Sequence, residues 1–323
     1  MPVKPGDFDR ARSHLDAGQT VILSCAQKVC LSGDYGDMHH GGVTLTASLT
    51  IRPQLRIRRL ASNASTVLRD GAPFSSFDGW KLASCFRDQV AAVAGTYEFN
   101  VVPSTLRRLG LGSSGAASVL FAAALAIVNG SSLTREELIA AAHTFEVKIG
   151  GQTCGPQDHA ASVFGGLNLI EFPSLVAQRI PWGGVWPALS FWSSDEDRAA
   201  PAVIQEVIRL HRPDIWETKG PLTRKIAAAC AEGDTVALVD GLRREAVVQN
   251  ELGMLTERQR KVVAAVEAAG GAAKVSGAGG GGILVVATSH ASAQPPFGGQ
   301  LREHGLVRVT LSVGDQGMGV EFA

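Results

Sequence analysis

The sequence predicts a fold of mixed helices and strands. Strand-like apolar runs and stretches of helical spacing alternate along the chain, and a glycine–serine loop feeds a long apolar helix. That loop, Gly110-Leu-Gly-Ser-Ser-Gly-Ala-Ala-Ser118, follows Pro103. Small residues let backbone N–H groups approach an anion, and a helix N-terminus adds partial positive charge, so the segment suits phosphate. It is not a Walker A loop, because Ala116 stands where that motif needs lysine. The same residues also make a plain helix start with glycines for close packing, and the segment alone leaves both uses open.

The elements follow in order. Residues 7–17 have Phe8, Ala11 and Leu15 on one side and predict a short helix. Residues 20–31 read as a strand, then 43–51, then 55–60, where Arg56, Arg58 and Arg59 alternate with apolar residues and face water. Helical spacing at 88–94 and a strand at 99–103 lead to the glycine loop. The apolar helix spans 113–129, with Gly130 as its stop, and Thr134 with Glu137 forms a capping box for the next helix, which runs toward Glu146. A second helix of small residues covers 158–164, Gly165-Gly166 breaks it, and a strand follows at 167–172. The proline- and glycine-rich segment 173–187 reads as a boundary. Beyond it come a strand at 188–192, helices through 199–270, strands at 272–276 and 283–288 around a glycine turn, and a closing strand at 307–313.

The 323 residues suffice for two ordinary domains or one large one, and 45% hydrophobic content supports a substantial core. Thirty basic residues balance thirty acidic ones, which argues against a broad nucleic-acid surface or a basic membrane face. The first twenty residues lack an apolar signal-peptide core, and the longest apolar run, 116–128, is short for a membrane span, so a cytoplasmic location is expected. Five scattered cysteines, odd in number and without a C-x-x-C pair, argue against a zinc site or disulfide framework.

Three segments carry candidate chemistry. Besides the loop at 110–118, these are Glu146 with Gly150-Gly-Gln-Thr-Cys-Gly-Pro-Gln-Asp158-His, and Lys274-Val-Ser-Gly-Ala-Gly-Gly-Gly-Gly282. Residues 277–282 fit G-x-G-x-x-G, but a strand follows them, so a second anion-friendly turn is the better reading. Asp158 suits either a helix N-cap or a base beside a substrate hydroxyl. A carboxylate at a helix C-terminus opposes the dipole, so Glu146 would gain from a cation such as magnesium.

Together these segments resemble the GHMP kinases, the superfamily of galactokinase, homoserine kinase, mevalonate kinase and phosphomevalonate kinase. Gln27-Lys-Val-Cys-Leu-Ser-Gly-Asp-Tyr35 followed by Gly41-Gly42 resembles the first family motif, the loop at 110–118 the second, and 274–282 the third. Gly115 interrupts the usual Ser-Ser-Ala of the second motif, and Pro103 lies farther upstream than in the family pattern. The resemblance implies two α+β domains with the site between them: an N-terminal domain like ribosomal protein S5 domain 2 over 1–175, and a ferredoxin-like C-terminal domain over 176–323. It implies that Gly110, Leu111, Gly112, Ser113, Ser114, Gly115 and Ala116 cradle ATP phosphates, supported by Gly277, Ala278, Gly279 and Gly280. Ser114 and Glu146 would hold Mg2+, Asp158 would be the catalytic carboxylate, and Lys28 would keep it ionised. On its own, Lys28 suits a solvated lysine at a strand end equally.

Residues 155–172 resemble the G-x-Q-D-Q-x-A-A-x-F-G-G-x-N-x-I-x-F stretch of D-glycero-D-manno-heptose 7-phosphate kinases, with His159 replacing the second Gln. This implies phosphorylation of the anomeric hydroxyl of a heptose phosphate, or of a longer sugar phosphate such as the octose 8-phosphate of lincosamide antibiotic pathways. The first motif and Asn250-Glu-Leu-Gly-Met-Leu-Thr256 look more like mevalonate or phosphomevalonate kinases, which stand as the alternative. A silent sugar-binding regulator is the non-enzyme alternative, and its signature would be loss of Lys28, Glu146 or Asp158. Asp34, Tyr35, Asp37, His39, His40 and Gln157 are expected at the acceptor pocket, where a polyol's hydroxyls need partners, and Arg198 at a substrate phosphate. The 34–40 segment equally suits a polar surface loop, and Arg198 an ordinary helix start. The expected partner is a small sugar phosphate, and a homodimer is compatible with this reading.

Overall fold

A computed structural model of the protein describes residues 3–39, 41–61, 64–73, 81–104, 106, 109–194, 196, 200–210, 212–289 and 297–323. The strand expected at 20–31 does not form as one. After helix α1 (Pro5–Asp16), it divides into β1 (Val21–Ser24) and β2 (Lys28–Ser32), which join different sheets. The chain continues through β3 (Val43–Ser48), β4 (Gln54–Arg59), β5 (Thr66–Arg69), β6 (Ala72–Pro73), α2 (Lys81–Val90) and β7 (Tyr97–Val102). In β4, Leu55 and Ile57 are buried while Arg56, Arg58 and Arg59 are exposed, as the alternation predicts. Helix α2 begins and ends earlier than the spacing at 88–94 suggests.

Helix α3 (Ser113–Val128) is rich in alanine and buried along most of its length. Gly130, at φ 71°, follows its C-cap Asn129. Thr134 and Glu137 close a capping box on α4 (Arg135–Thr144), which passes into a π-helical turn (Phe145–Ile149). Then come α5 (Gln157–Phe164), β8 (Leu167–Glu171) and β9 (Val176–Arg179), the last forming a strand inside the proline-rich segment.

The rest comprises β10 (Leu189–Ser193), α6 (Ala200–Leu210), α7 (Pro213–Glu232), α8 (Thr235–Glu251), α9 (Glu257–Ala268), β11 (Ala272–Val275), β12 (Ile283–Ala287), α10 (Gly298–Glu303), β13 (Val307–Val309) and β14 (Gly319–Phe322). Among the described residues three sheets form, ordered β14-β1-β4-β7-β5-β6, β2-β3-β8-β9 and β11-β12-β10-β13. The third is antiparallel throughout, with helices between β10 and β11 and between β12 and β13. That is the ferredoxin-like βαββαβ arrangement. The final strand β14 returns to pair with β1, a contact the sequence reading lacks.

One apolar core joins α1 to α5 with the six-stranded sheet. A second draws on β2, β3 and β8 from one side and α7, α8, β10 and β12 from the other, so it spans both halves of the chain. Its edge carries Leu111, at the base of the glycine loop. The loop is therefore fixed where the two halves meet.

Candidate active site

The N-terminus of α3 opens on a cleft of about 760 Å3. Its N-cap is Gly112, at φ 70°, with no side-chain cap, so the first-turn N–H groups receive no side-chain oxygen there. Gly110 and Ser114 line the cleft, and Ser113 Oγ accepts a 2.8 Å bond from Gln27 Nε2. Leu111 and Ala116 are buried side chains that act through the backbone: Leu111 O accepts from Lys28 N at 3.0 Å, and Ala116 N donates to Gly112 O at 3.0 Å. Their side chains belong to the core.

Asp158 stands in the first turn of α5, whose N-cap is Pro156, so Asp158 is not itself the cap. Its Oδ1 lies 2.9 Å from Lys28 Nζ; the lysine side chain is 1% exposed and the aspartate 31%. Lys28 is thus buried rather than solvated. Burial alone would lower its pKa, but Asp158 foremost, with Cys30 and Asp34, outweighs that and holds the ammonium above its ordinary value. Two glycines of the loop make room for the pair. A Cβ on Gly112 would come within 3.2 Å of Lys28 Cγ and 3.3 Å of Asp158 Oδ2, and one on Gly115 within 2.6 Å of Asp158 Cβ. The departure at Gly115 from the Ser-Ser-Ala pattern therefore has a local cause, the close approach of α3 to α5.

Glu146 sits in the π-helical turn, 2% exposed, and lines the same cleft. A π-turn widens the helix locally and often marks functional positions. Ser118 Oγ donates to Glu146 Oε2 at 3.3 Å, and His159 Nε2 lies 2.8 Å from the same oxygen. Glu146 and Ser114 offer oxygen donors facing one space, the chemistry a magnesium ion shared with phosphates and water requires.

The third glycine turn meets the first directly. Ile283 N donates to Leu109 O at 2.9 Å, and a Cβ on Gly282 would lie 2.9 Å from that oxygen. Gly277 and Ala278 line the cleft. Gly279 and Gly280 instead pack on Met254: a Cβ on Gly279 would approach Met254 O to 2.5 Å, and Gly280 N donates to it at 2.9 Å.

Asp34 departs from the acceptor-pocket expectation. It is fully buried, 2.5 Å from Lys274 Nζ, and accepts from Gly277 N at 2.7 Å and Gln249 Nε2 at 2.9 Å. Burial would raise its pKa, but Lys274 and then Lys219 hold it below the usual range. Asp34 thus ties the first motif to the third. Tyr35 and Asp37 do line the cleft; Tyr35 donates its hydroxyl to Ala278 O at 2.8 Å. Burial pushes Asp37 up to about 6, partly offset by the N–H of Gln157 at 2.9 Å and reinforced by Asp158. Gln157 lines the cleft with its buried Oε1 unpaired. His39 stacks on Trp216, ring centres 3.8 Å apart, and borders a separate cavity of about 380 Å3. His40 and Arg198 lie outside the described residues.

The sequence reading misses the far wall of the cleft, formed by Ala200, Pro201, Ile204 and Gln205 of α6, and the approach of Cys154 and His159 to Glu146. The proline near the start of an amphipathic α6 marks the helix but says nothing of what it faces. His159 is visible in the sequence only as a departure from a motif.

The family model described as GHMP kinases N terminal domain matches residues 81–166, and that described as GHMP kinases C terminal matches 226–305, together just over half the chain. Among solved structures, the fold is similar to Streptococcus pneumoniae phosphomevalonate kinase in complex with phosphomevalonate and AMPPNP, at 15% identity and TM-score 0.75 over 90% of this chain and 99% of that one. It is similar to Lactococcus lactis galactokinase complexed with galactose, at 14% identity and TM-score 0.74 over 93% and 95%. Methanococcus jannaschii mevalonate kinase matches at 14% identity and TM-score 0.69 over 91% and 98%. No curated protein sequence matches significantly. At such identities the structural likeness concerns the fold.

Proposed function

Because the chain belongs to the GHMP kinase superfamily, and so is a small-molecule phosphotransferase, we propose that it moves the γ-phosphoryl of ATP to the anomeric hydroxyl of a heptose or octose phosphate. The observation that carries this reading is the Lys28–Asp158 pair beside the uncapped start of α3, in one cleft. Asp158 takes the proton of the acceptor hydroxyl as its oxygen attacks the γ-phosphorus and ADP departs. An anomeric hydroxyl is more acidic than an ordinary alcohol, so a carboxylate base suits it. Lys28 keeps Asp158 ionised and offsets charge as it develops. The α3 N–H groups, with Gly110, Gly112 and Ser114, hold the phosphates. Ser114 and Glu146 would hold Mg2+, whose chemistry is to bridge phosphates and neutralise their charge. Most of the acceleration is positioning.

Asp37 and Gln157 suit acceptor hydroxyls, since both face the cleft and Gln157 Oε1 has no partner of its own. Arg198, two positions before Ala200 of the cleft wall in the sequence, is assigned the acceptor's own phosphate. The choice of a sugar phosphate over mevalonates rests on the segment 155–172, which carries Asp158. A coupled ADP-release screen tests it, with heptose 7-phosphates, octose 8-phosphates, mevalonate and phosphomevalonate side by side. Sugar phosphates are expected to give the highest kcat/KM, and Arg198→Ala to raise KM for them alone. ADP formed only with a mevalonate would move the assignment to that class, and ATP binding without ADP formation on any acceptor would overturn it.

A further inference from the structure

We propose that Glu146, Cys154 and His159 form a mixed oxygen, sulfur and nitrogen site for a borderline divalent cation of the zinc class, set into the wall of the cleft. One donor atom from each lies within 4.8 Å of the others. Donors around a tetrahedral ion with bonds of about 2.0–2.3 Å stand roughly 3.3–3.8 Å apart, so shifts of about an ångström, which open the 2.8 Å approach of His159 to Glu146 and draw in the more distant donors, complete the set. Three protein ligands leave one position for water, and Glu146 and Cys154 both line the cleft, which gives the ion a way in.

His159 supplies the independent observation. It is fully buried, and among the described residues neither ring nitrogen has a hydrogen-bond partner. Its Nε2 lies 2.8 Å from Glu146 Oε2 without the alignment of a hydrogen bond. A buried imidazole whose Nδ1 is unpartnered among the described residues and whose Nε2 has only a misaligned carboxylate is costly unless something else engages it. The surroundings hold it in place. Its ring meets His143 edge-on, centres 5.6 Å apart, and His143 Nε2 lies 2.9 Å from Cys154 O. The imidazole and the loop bearing the thiol are thereby linked through one side chain.

The donor set favours zinc or cobalt over magnesium, because imidazole and thiolate bind borderline ions more strongly than hard ones. Cys154 is half-buried, and burial, with Glu146, Asp158 and Asp37, holds its thiol protonated; a bound cation displaces that proton to water. An ion seated here engages Glu146, the carboxylate assigned above to the nucleotide's magnesium. Zinc would therefore act as a brake on transfer.

The inference goes beyond the kinase reading, and its test uses neither nucleotide nor acceptor. Chelator-stripped full-length protein is titrated with Co2+, following the near-ultraviolet thiolate-to-cobalt charge-transfer band, with Zn2+ as competitor. A band displaced by Zn2+ is expected. Cys154→Ser should abolish it, and His159→Gln should weaken cobalt binding at least about tenfold. Melting curves check that the buried His159 variant folds, and the half-buried Cys154 supplies the test if it does not. A band absent from the wild type, or one that survives Cys154→Ser, overturns the site. ADP release in excess Mg2+ decides the kinase reading separately.

Discussion

Two lysine–aspartate pairs flank the glycine turns, and they differ in their access to water. Lys28–Asp158 spans 2.9 Å with the aspartate side chain 31% exposed on the cleft. Lys274–Asp34 spans 2.5 Å with both side chains fully enclosed. The first joins a buried cation to a carboxylate that a substrate can reach. The second joins two charges that nothing from solvent can reach, and its aspartate also accepts from Gly277 N and Gln249 Nε2. The same pair of residue types thus suits chemistry where one end is open and assembly where neither is. A buried pair contributes little net stability compared with apolar packing, but breaking it exposes an uncompensated charge to a dry interior.

Substitutions that sort the two pairs by their effects sharpen this contrast. The largest effect is expected at the open pair: Asp158→Asn lowers kcat by roughly 10²–10⁴-fold while the protein still melts cooperatively, read by ADP release and calorimetry. At the closed pair, Lys274→Met costs about 3–5 kcal/mol of stability, measured by denaturant unfolding, because Asp34 is left charged and buried. Gly115→Ala intrudes on Asp158 Cβ at 2.6 Å and is expected to cost about 1–3 kcal/mol, with a fall in kcat that exceeds the loss of folded protein. The smallest effect concerns Asp37, whose carboxyl is raised from 3.8 to about 6 by burial above all. Folding therefore favours its protonated form. Its contribution to stability is full below the unfolded value and is lost as pH rises through about 6. Asp37→Asn should stabilise the protein by roughly 1–2 kcal/mol at pH 8 and hardly at all at pH 4, checked by melting temperatures at both.

Much of the site was legible because its signals are local. A glycine–serine loop before an alanine-rich helix announces α3, and Gly130 announces its end. Strands β10, β11 and β12 could be placed because each reads as a short apolar run, whereas their ferredoxin-like arrangement is an implication of the family resemblance. The failures share a different cause: each depends on a partner far along the chain. Asp34 reads as a polar loop residue until Lys274, 240 positions away, encloses it. Lys28 is expected beside Asp158 from the family resemblance, but its local sequence suits a solvated strand end equally, and only Asp158 and the loop glycines decide between the two. The run at 20–31 reads as one strand because both halves are apolar, and periodicity says nothing about a change of sheet at 25–27. Strand β14 is four residues long, and only its pairing with β1 makes it a strand. Gly115 looked like a flaw in a motif and is instead the point where α3 touches α5.

The most direct test of the open pair's role is ADP release by Asp158→Asn and Asp34→Asn, each normalised to folded protein, with Mg-ATP and the best acceptor of the screen. Loss of at least about a hundredfold in the first, with turnover per folded molecule largely kept in the second, is the predicted result. Wild-type turnover in Asp158→Asn would contradict the account.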